Sequence, residues 1–245
     1  MHEFAEVFRN TFLLWLARLS QPVTSVILTV AIAQRLLDKG LGSYTTAITY
    51  YFTFQLVSSI GLKNLLTREI SKAPDTLWGQ VVSALALVIP SALLTTAAAT
   101  LLLPIFADDA ETRLATLVLL PAILASAIID VIEGLLFGIS RFRYYSISHT
   151  AENVLRVLLA WILLLEGHGV VALCLVFAGA RVAQLLSCSI YFLVVCGPPR
   201  IGERGPRVRE LWHQSLPFVA IMVVVTLYGR LDVLVLYPVW GEDEV

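Results

Sequence analysis

The stretch Asp130–Arg156, DVIEGLLFGISRFRYYSISHTAENVLR, joins the end of one long apolar segment to the start of the next. It places Asp130, Glu133, Glu152 and Arg156 inside or at the edge of helices of bilayer length. A charged side chain at the centre of a spanning helix costs about 2.5–3.5 kcal/mol on insertion scales, so such groups face a bundle interior or a water-filled cavity. The hairpin therefore points to a wet pathway through a membrane protein.

Composition agrees. The 245-residue chain is 58 % hydrophobic and 14 % charged, with a mean hydropathy of +0.83, whereas charged residues make up about a quarter of a soluble domain. Working outward from the hairpin, about seven apolar runs reach the roughly 20 residues that a spanning helix requires. They are Phe8–Gln34, Ser43–Leu66, Gly79–Phe106, Leu114–Ile139, Ser148–Leu165, Gly169–Cys196 and Leu211–Val239. The runs are continuous, without the alternation of barrel strands, and predict an all-α integral membrane protein. Short connectors at Leu37–Gly40, Pro74–Asp75, Asp108–Asp109 and Gly167–Gly169 imply antiparallel neighbours in a bundle.

The longest hydrophilic segment, GPPRIGERGPRVRELW, falls after the sixth run. This divides the chain into a six-helix lobe (1–196), a basic cytoplasmic inter-lobe linker (197–210) and the first helix of a second, truncated lobe (211–245). The first and last runs share a plan of proline, mid-span arginine and a Gly/acidic exit, as in transporters built from parallel repeats. With the N-terminus in the cytoplasm, the inner side holds Arg9, Lys63, Arg68, Lys72, Arg141, Arg143, Arg200, Arg204, Arg207 and Arg209. The outer side holds only Arg35, Lys39 and Arg113, a bias that orients the protein with its N-terminus inside.

Within the spans, Asp130 and Glu133 are three apart and share a face, as do Glu152 and Arg156, four apart. Arg18, Asp130, Glu133 and Arg156 fall at comparable depth and define one candidate layer; Arg181, Arg230 and Asp232 sit nearer the midplane. Arg18 and Arg181 are the candidates to compensate Asp130 and Glu133. Plainer roles stand beside these: Glu152 and Arg156 are close enough to the interface to snorkel, and Asp130 with Glu133 can fix helix register through a neighbouring arginine. Pro22 is the proline best placed to bend a helix for function. Gly134, Gly138 and Gly179 suit close helix contact.

Enzyme signals are weak. There is no HExxH, Gly-rich phosphate loop or convincing Ser/His/Asp set. The Asp-x-x-Glu at Asp130 lacks the second acidic cluster that a magnesium-diphosphate transferase site requires. His2, His149, His168 and His213 lie at or near span ends and read as interface residues, and Cys174, Cys188 and Cys196 lack metal-ligand spacing. No cofactor, metal or nucleic-acid partner is expected; membrane lipids are.

Gly138 followed by Arg141, Phe142, Tyr145 and Ser148, then Glu152, Asn153 and Arg156, resembles the fourth-to-fifth helix connection of the polysaccharide (O-antigen type) flippases, within the multidrug/oligosaccharidyl-lipid/polysaccharide exporter superfamily. Gly42 with Tyr44, Gly61 with Leu66-Thr67-Arg68-Glu69-Ile70, Pro217 and Asp232 are similar to that family too. The resemblance covers the chain as the first half of a two-lobe pattern. It implies a cell-membrane flippase, not an enzyme, that moves a polyprenyl-diphosphate-linked oligosaccharide to the outer leaflet by alternating access, together with a remaining C-terminal lobe. On that basis Arg18, Arg181, Arg156 and Arg230 are candidate substrate-binding residues. Asp130, Glu133 and Asp232 are candidates for a coupling proton or sodium ion. An ion-coupled multidrug antiporter, a lipid II flippase, an intramembrane prenyl- or glycosyltransferase and a fragment without function of its own are the competing readings.

Overall fold

The computed structural model describes residues 2–107, 109–199, 205–206 and 208–228. Among them the chain is helical and contains no strand. Eight helices follow in order: α1 (His2–Ser58), α2 (Leu62–Lys72), α3 (Leu77–Phe106), α4 (Ala110–Leu119), α5 (Pro121–Gly138), α6 (Phe142–Leu165), α7 (Val170–Cys196) and α8 (Val208–Tyr228). Among the described residues, four stretches are long and apolar enough to cross a membrane: Pro74–Phe106, Ala110–Gly138, Phe142–Leu165 and Val170–Cys196. The first two expected runs lie on α1 and α2, and α8 carries the first part of the seventh.

The breaks are local and have local causes. Leu37, at φ 59° and ψ −172°, divides α1 into two arms at the expected first connector. The second expected run is interrupted, because Ile60 (φ 48°) and Gly61 (φ 64°) are left-handed and separate α1 from α2. At Gly61 the backbone also needs the space: a Cβ there would stand 2.8 Å from that of Phe218 on α8. The fourth run is divided at Pro121, which lacks the N–H to continue α4 and sits at the first position of α5, where that loss is tolerated.

The hairpin itself is tighter than its sequence suggests. Ser140 is left-handed (φ 61°), and the Arg141 N–H reaches back to the Leu136 carbonyl at 2.8 Å while the Ser140 N–H bonds that of Phe137. This is the Schellman pattern with serine where glycine is usual. Helix α6 consequently starts at Phe142, six residues before the expected Ser148. Aromatic packing compensates for the polar residues of that first turn, with the Phe137 ring 5.2 Å from Phe142 and 4.9 Å from Tyr145.

In lipid, apolar side chains gain little by leaving one apolar environment for another, so helices associate through close packing and hydrogen bonds. The crossing of α2 on α5 shows this. A Cβ on Gly134 would lie 2.7 Å from the Lys63 carbonyl oxygen, and one on Gly138 2.6 Å from Ile70 Cβ. Thr67 donates its hydroxyl to the Gly134 carbonyl at 3.1 Å, across a seam sealed by Leu62, Leu65, Leu66, Leu135 and Leu136. Helix α8 packs on α2 and α3, burying Leu211 completely. The N-terminal arm of α1 lies along α6, where Leu28, Ile32, Ala160 and Leu164 form a separate apolar layer. Gly179, by contrast, makes no such contact: a Cβ there would meet nothing within 4 Å.

Gly134→Val is expected to lower the thermal unfolding midpoint in detergent micelles, because overpacking against fixed backbone costs typically about 1–3 kcal/mol. Gly179→Ala should leave that midpoint in place.

Candidate functional site

Four helices, α1, α2, α5 and α6, converge on a buried ionic cluster. Glu133 of α5, 3 % exposed, is held at both oxygens: Lys63 Nζ of α2 donates to Oε2 at 2.6 Å, and His149 Nε2 of α6 is 2.6 Å from Oε1. Asp130, one turn away, accepts from Ser59 Oγ at 2.6 Å and from Gln55 Nε2 at 3.2 Å, both on or just after α1. Its other oxygen lies 3.8 Å from Lys63. The Lys63 ammonium also stands over the rings of Tyr145 (4.9 Å) and Phe137 (5.3 Å). A half-buried lysine thus meets two carboxylates and two aromatic faces, an arrangement that offsets much of the loss of hydration.

The sequence places Lys63 near the end of the second run, among the inner-side cations, and sets Arg18 and Arg181 opposite the carboxylates. The structure instead pairs Lys63 with Glu133. The left-handed break at Ile60–Gly61 re-aims α2 so that Lys63 faces α5, which no apolar periodicity reveals. Arg18 is exposed on α1 and forms no ion pair among the described residues. His149, an interface residue by its sequence position, belongs to the cluster. Its spacing of four from Tyr145 is the one signal that both occupy one face, and their rings do lie 4.2 Å apart.

A second polar network lies between α1, α6 and α7. Glu152 and Arg156, each 6 % exposed, do not snorkel. They approach to 3.5 Å, and Arg156 also donates to Asn153 Oδ1 at 3.0 Å. Asn153 in turn donates to Ser20 Oγ on α1 at 2.9 Å. The guanidinium groups of Arg156 and Arg181 stand 4.9 and 5.5 Å from the buried ring of Phe177. Arg181 donates to Gln184 Oε1 at 2.8 Å. The Nε atoms of both arginines are buried without a hydrogen-bond partner, as are both Glu152 oxygens and Gln184 Nε2. So the structure brings Asp130 together with Glu133 around Lys63, and Arg156 together with Arg181 at the Phe177 ring. Arg230 and Asp232 lie outside the described residues.

Two solved structures share this fold. An outward-facing multidrug resistance transporter of the MATE family, in the MOP superfamily, superposes with a TM-score of 0.67 at 15 % identity, over 90 % of this chain and 53 % of its own. A MOP superfamily transporter from Pyrococcus furiosus, described as having a binding pocket of reverse polarity that suggests a different function, gives 0.69 at 14 % identity with the same coverage. The chain spans about half the length of each. No curated protein matches the sequence. The chain thus shares its fold with about half of each of these two structures. By sequence, the chain belongs to the family described as polysaccharide biosynthesis protein, whose model matches residues 7–245.

Lys63→Met should destabilise the protein by about 3 kcal/mol in micelles, since removing one partner strands a buried charge. Combining it with Glu133→Gln should recover most of that loss; simple additivity of the two would show that they are not paired.

Proposed function

We propose that this chain forms the N-terminal part of a flippase that carries a polyprenyl-diphosphate-linked oligosaccharide from the cytoplasmic to the outer leaflet of the cell membrane. Residues 1–196 are its first lobe, 197–210 a cytoplasmic linker and 211–245 the start of the second lobe, with the N-terminus in the cytoplasm. The reading rests on family membership and on a fold shared with transporters. One observation carries the substrate class: two guanidinium groups share the Phe177 ring within the bilayer-length helices α6 and α7, each with a buried Nε and no acceptor for it. Cations kept there at such cost, with donors to spare, suit an anionic diphosphate better than a cationic drug.

Arg181 and Arg156 bind the diphosphate in this reading, with Arg18 guiding it from the exposed face of α1 and Arg230 contributing from the seventh span. Asp130 and Glu133, with Asp232, serve the coupling proton or sodium ion. Lys63 and His149 hold the first two carboxylates in place between transport steps.

In cells producing the full-length protein, Arg181→Ala and Arg156→Ala should abolish surface polysaccharide at normal protein levels. Undiminished polymer would sink the binding role. Asp130→Asn should make glycolipid flipping in proteoliposomes indifferent to the imposed ion gradient, and a preserved gradient dependence would remove Asp130 from coupling.

A further inference from the structure

A groove of about 350 Å3 runs along the seam between α6 and α7, apart from the Glu133 cluster. Its size falls within the range of about 300–1,000 Å3 usual for small-molecule sites. Small side chains open it: Ser148 and Ala151 on α6, Ala183 and Ser187 on α7. Glu152 and Gln184 line it as well, and both are more than nine-tenths buried, at 6 % and 4 % exposure. Among the described residues, both Glu152 carboxylate oxygens and the Gln184 amide nitrogen lack a hydrogen-bond partner. The groove therefore brings together a carboxylate that accepts no hydrogen bond, one oxygen lying 3.5 Å from Arg156, and an amide donor without a partner, on side chains with three rotatable bonds each that can turn to a group lodged between the helices.

The ligand that matches must donate and accept within a few ångströms. Phosphate offers Glu152 only repulsion. An ammonium group suits Glu152 but finds Arg156 and Arg181 close by and leaves the Gln184 amide unmet. An alkyl chain answers neither. A hydroxyl both donates and accepts, and a pyranose presents several around an apolar C–H face. The groove supplies a wall for that face in Tyr144, whose ring is stacked on Tyr191 at 4.0 Å. The Tyr144 hydroxyl in turn donates to Ser187 Oγ at 3.0 Å. We infer that the α6–α7 groove is a sugar-binding subsite, taking an uncharged hexose unit of the transported glycolipid.

This rests on the flippase reading and adds a division of labour to it. Gln184 is the joint between the two parts. Its carbonyl oxygen fixes Arg181 at 2.8 Å, while its amide nitrogen remains for the sugar, so a diphosphate at Arg181 and the first hexose at Gln184 would be neighbours.

The test uses the full-length protein in nanodiscs with three probes: octyl glucoside below its micellar concentration, octanol, and a short-chain prenyl diphosphate without sugar. Octyl glucoside should bind the wild type and octanol should not compete. Ala151→Leu and Ala183→Leu, which fill the groove from its two helices, should each weaken octyl glucoside at least tenfold without weakening prenyl diphosphate. Arg181→Ala should do the reverse. Octanol competing as well as the glucoside, or glucoside binding untouched by both groove substitutions, would overturn the subsite. A wild type that ignores prenyl diphosphate would defeat the flippase reading instead, whatever the glucoside result.

Discussion

A carboxylate that is 3 % exposed cannot stay in an apolar bundle without partners, and the packing around Glu133 is organised to provide them. Lys63 comes from α2 and His149 from α6, one to each carboxylate oxygen. For Lys63 to reach, α2 must lie almost against the α5 backbone, and the absence of side chains at Gly134 and Gly138 permits it. The glycines and the ion pair therefore depend on each other. The close crossing sets the 2.6 Å contact, and the contact, with Thr67 bonded to the Gly134 carbonyl, holds the crossing where apolar association alone would be weak in lipid.

The arginines of α6 and α7 follow a different logic. Arg156 has an acidic partner one turn away, yet at 3.5 Å and without a hydrogen bond to it. Arg181 leans on Phe177 and Gln184 and has no carboxylate partner among the described residues. The two networks thus differ in how fully their polar atoms are satisfied: the Glu133 cluster is nearly closed, while the Arg156–Arg181 region keeps donors and acceptors open. Saturated networks hold helices together, and open ones are where ligands find bonds.

Much of the fold is legible in the sequence because bilayer thickness sets a length that apolar runs either meet or do not. The pairs Asp130–Glu133 and Glu152–Arg156 are legible too, since helical spacing alone puts them on shared faces. What escapes is the path of the backbone between runs. Leu-Lys-Asn-Leu-Leu after Gly61 reads as the frayed end of a span, and only the left-handed conformation of Ile60 and Gly61 turns Lys63 inward. His149 escapes for a related reason. The early start of α6 at Phe142 carries it two turns into the helix, away from the interface where its sequence position places it.

The break at Ile60–Gly61 has a mechanical side. Gln55 and Ser59 precede it and Lys63 follows it on α2, yet all three are directed at Asp130. Asp130 is therefore a latch fastened from both sides of a joint. Beyond that joint α2 runs for 11 residues, about 16 Å, and its far end carries the exposed Arg68 and Lys72, both paired with Glu69. The Lys63–Glu133 contact and the Thr67 bond to the Gly134 carbonyl hold that helix to α5 as well, so the joint is pinned on both of its arms and the turn of the backbone is fixed by side chains rather than by the turn itself.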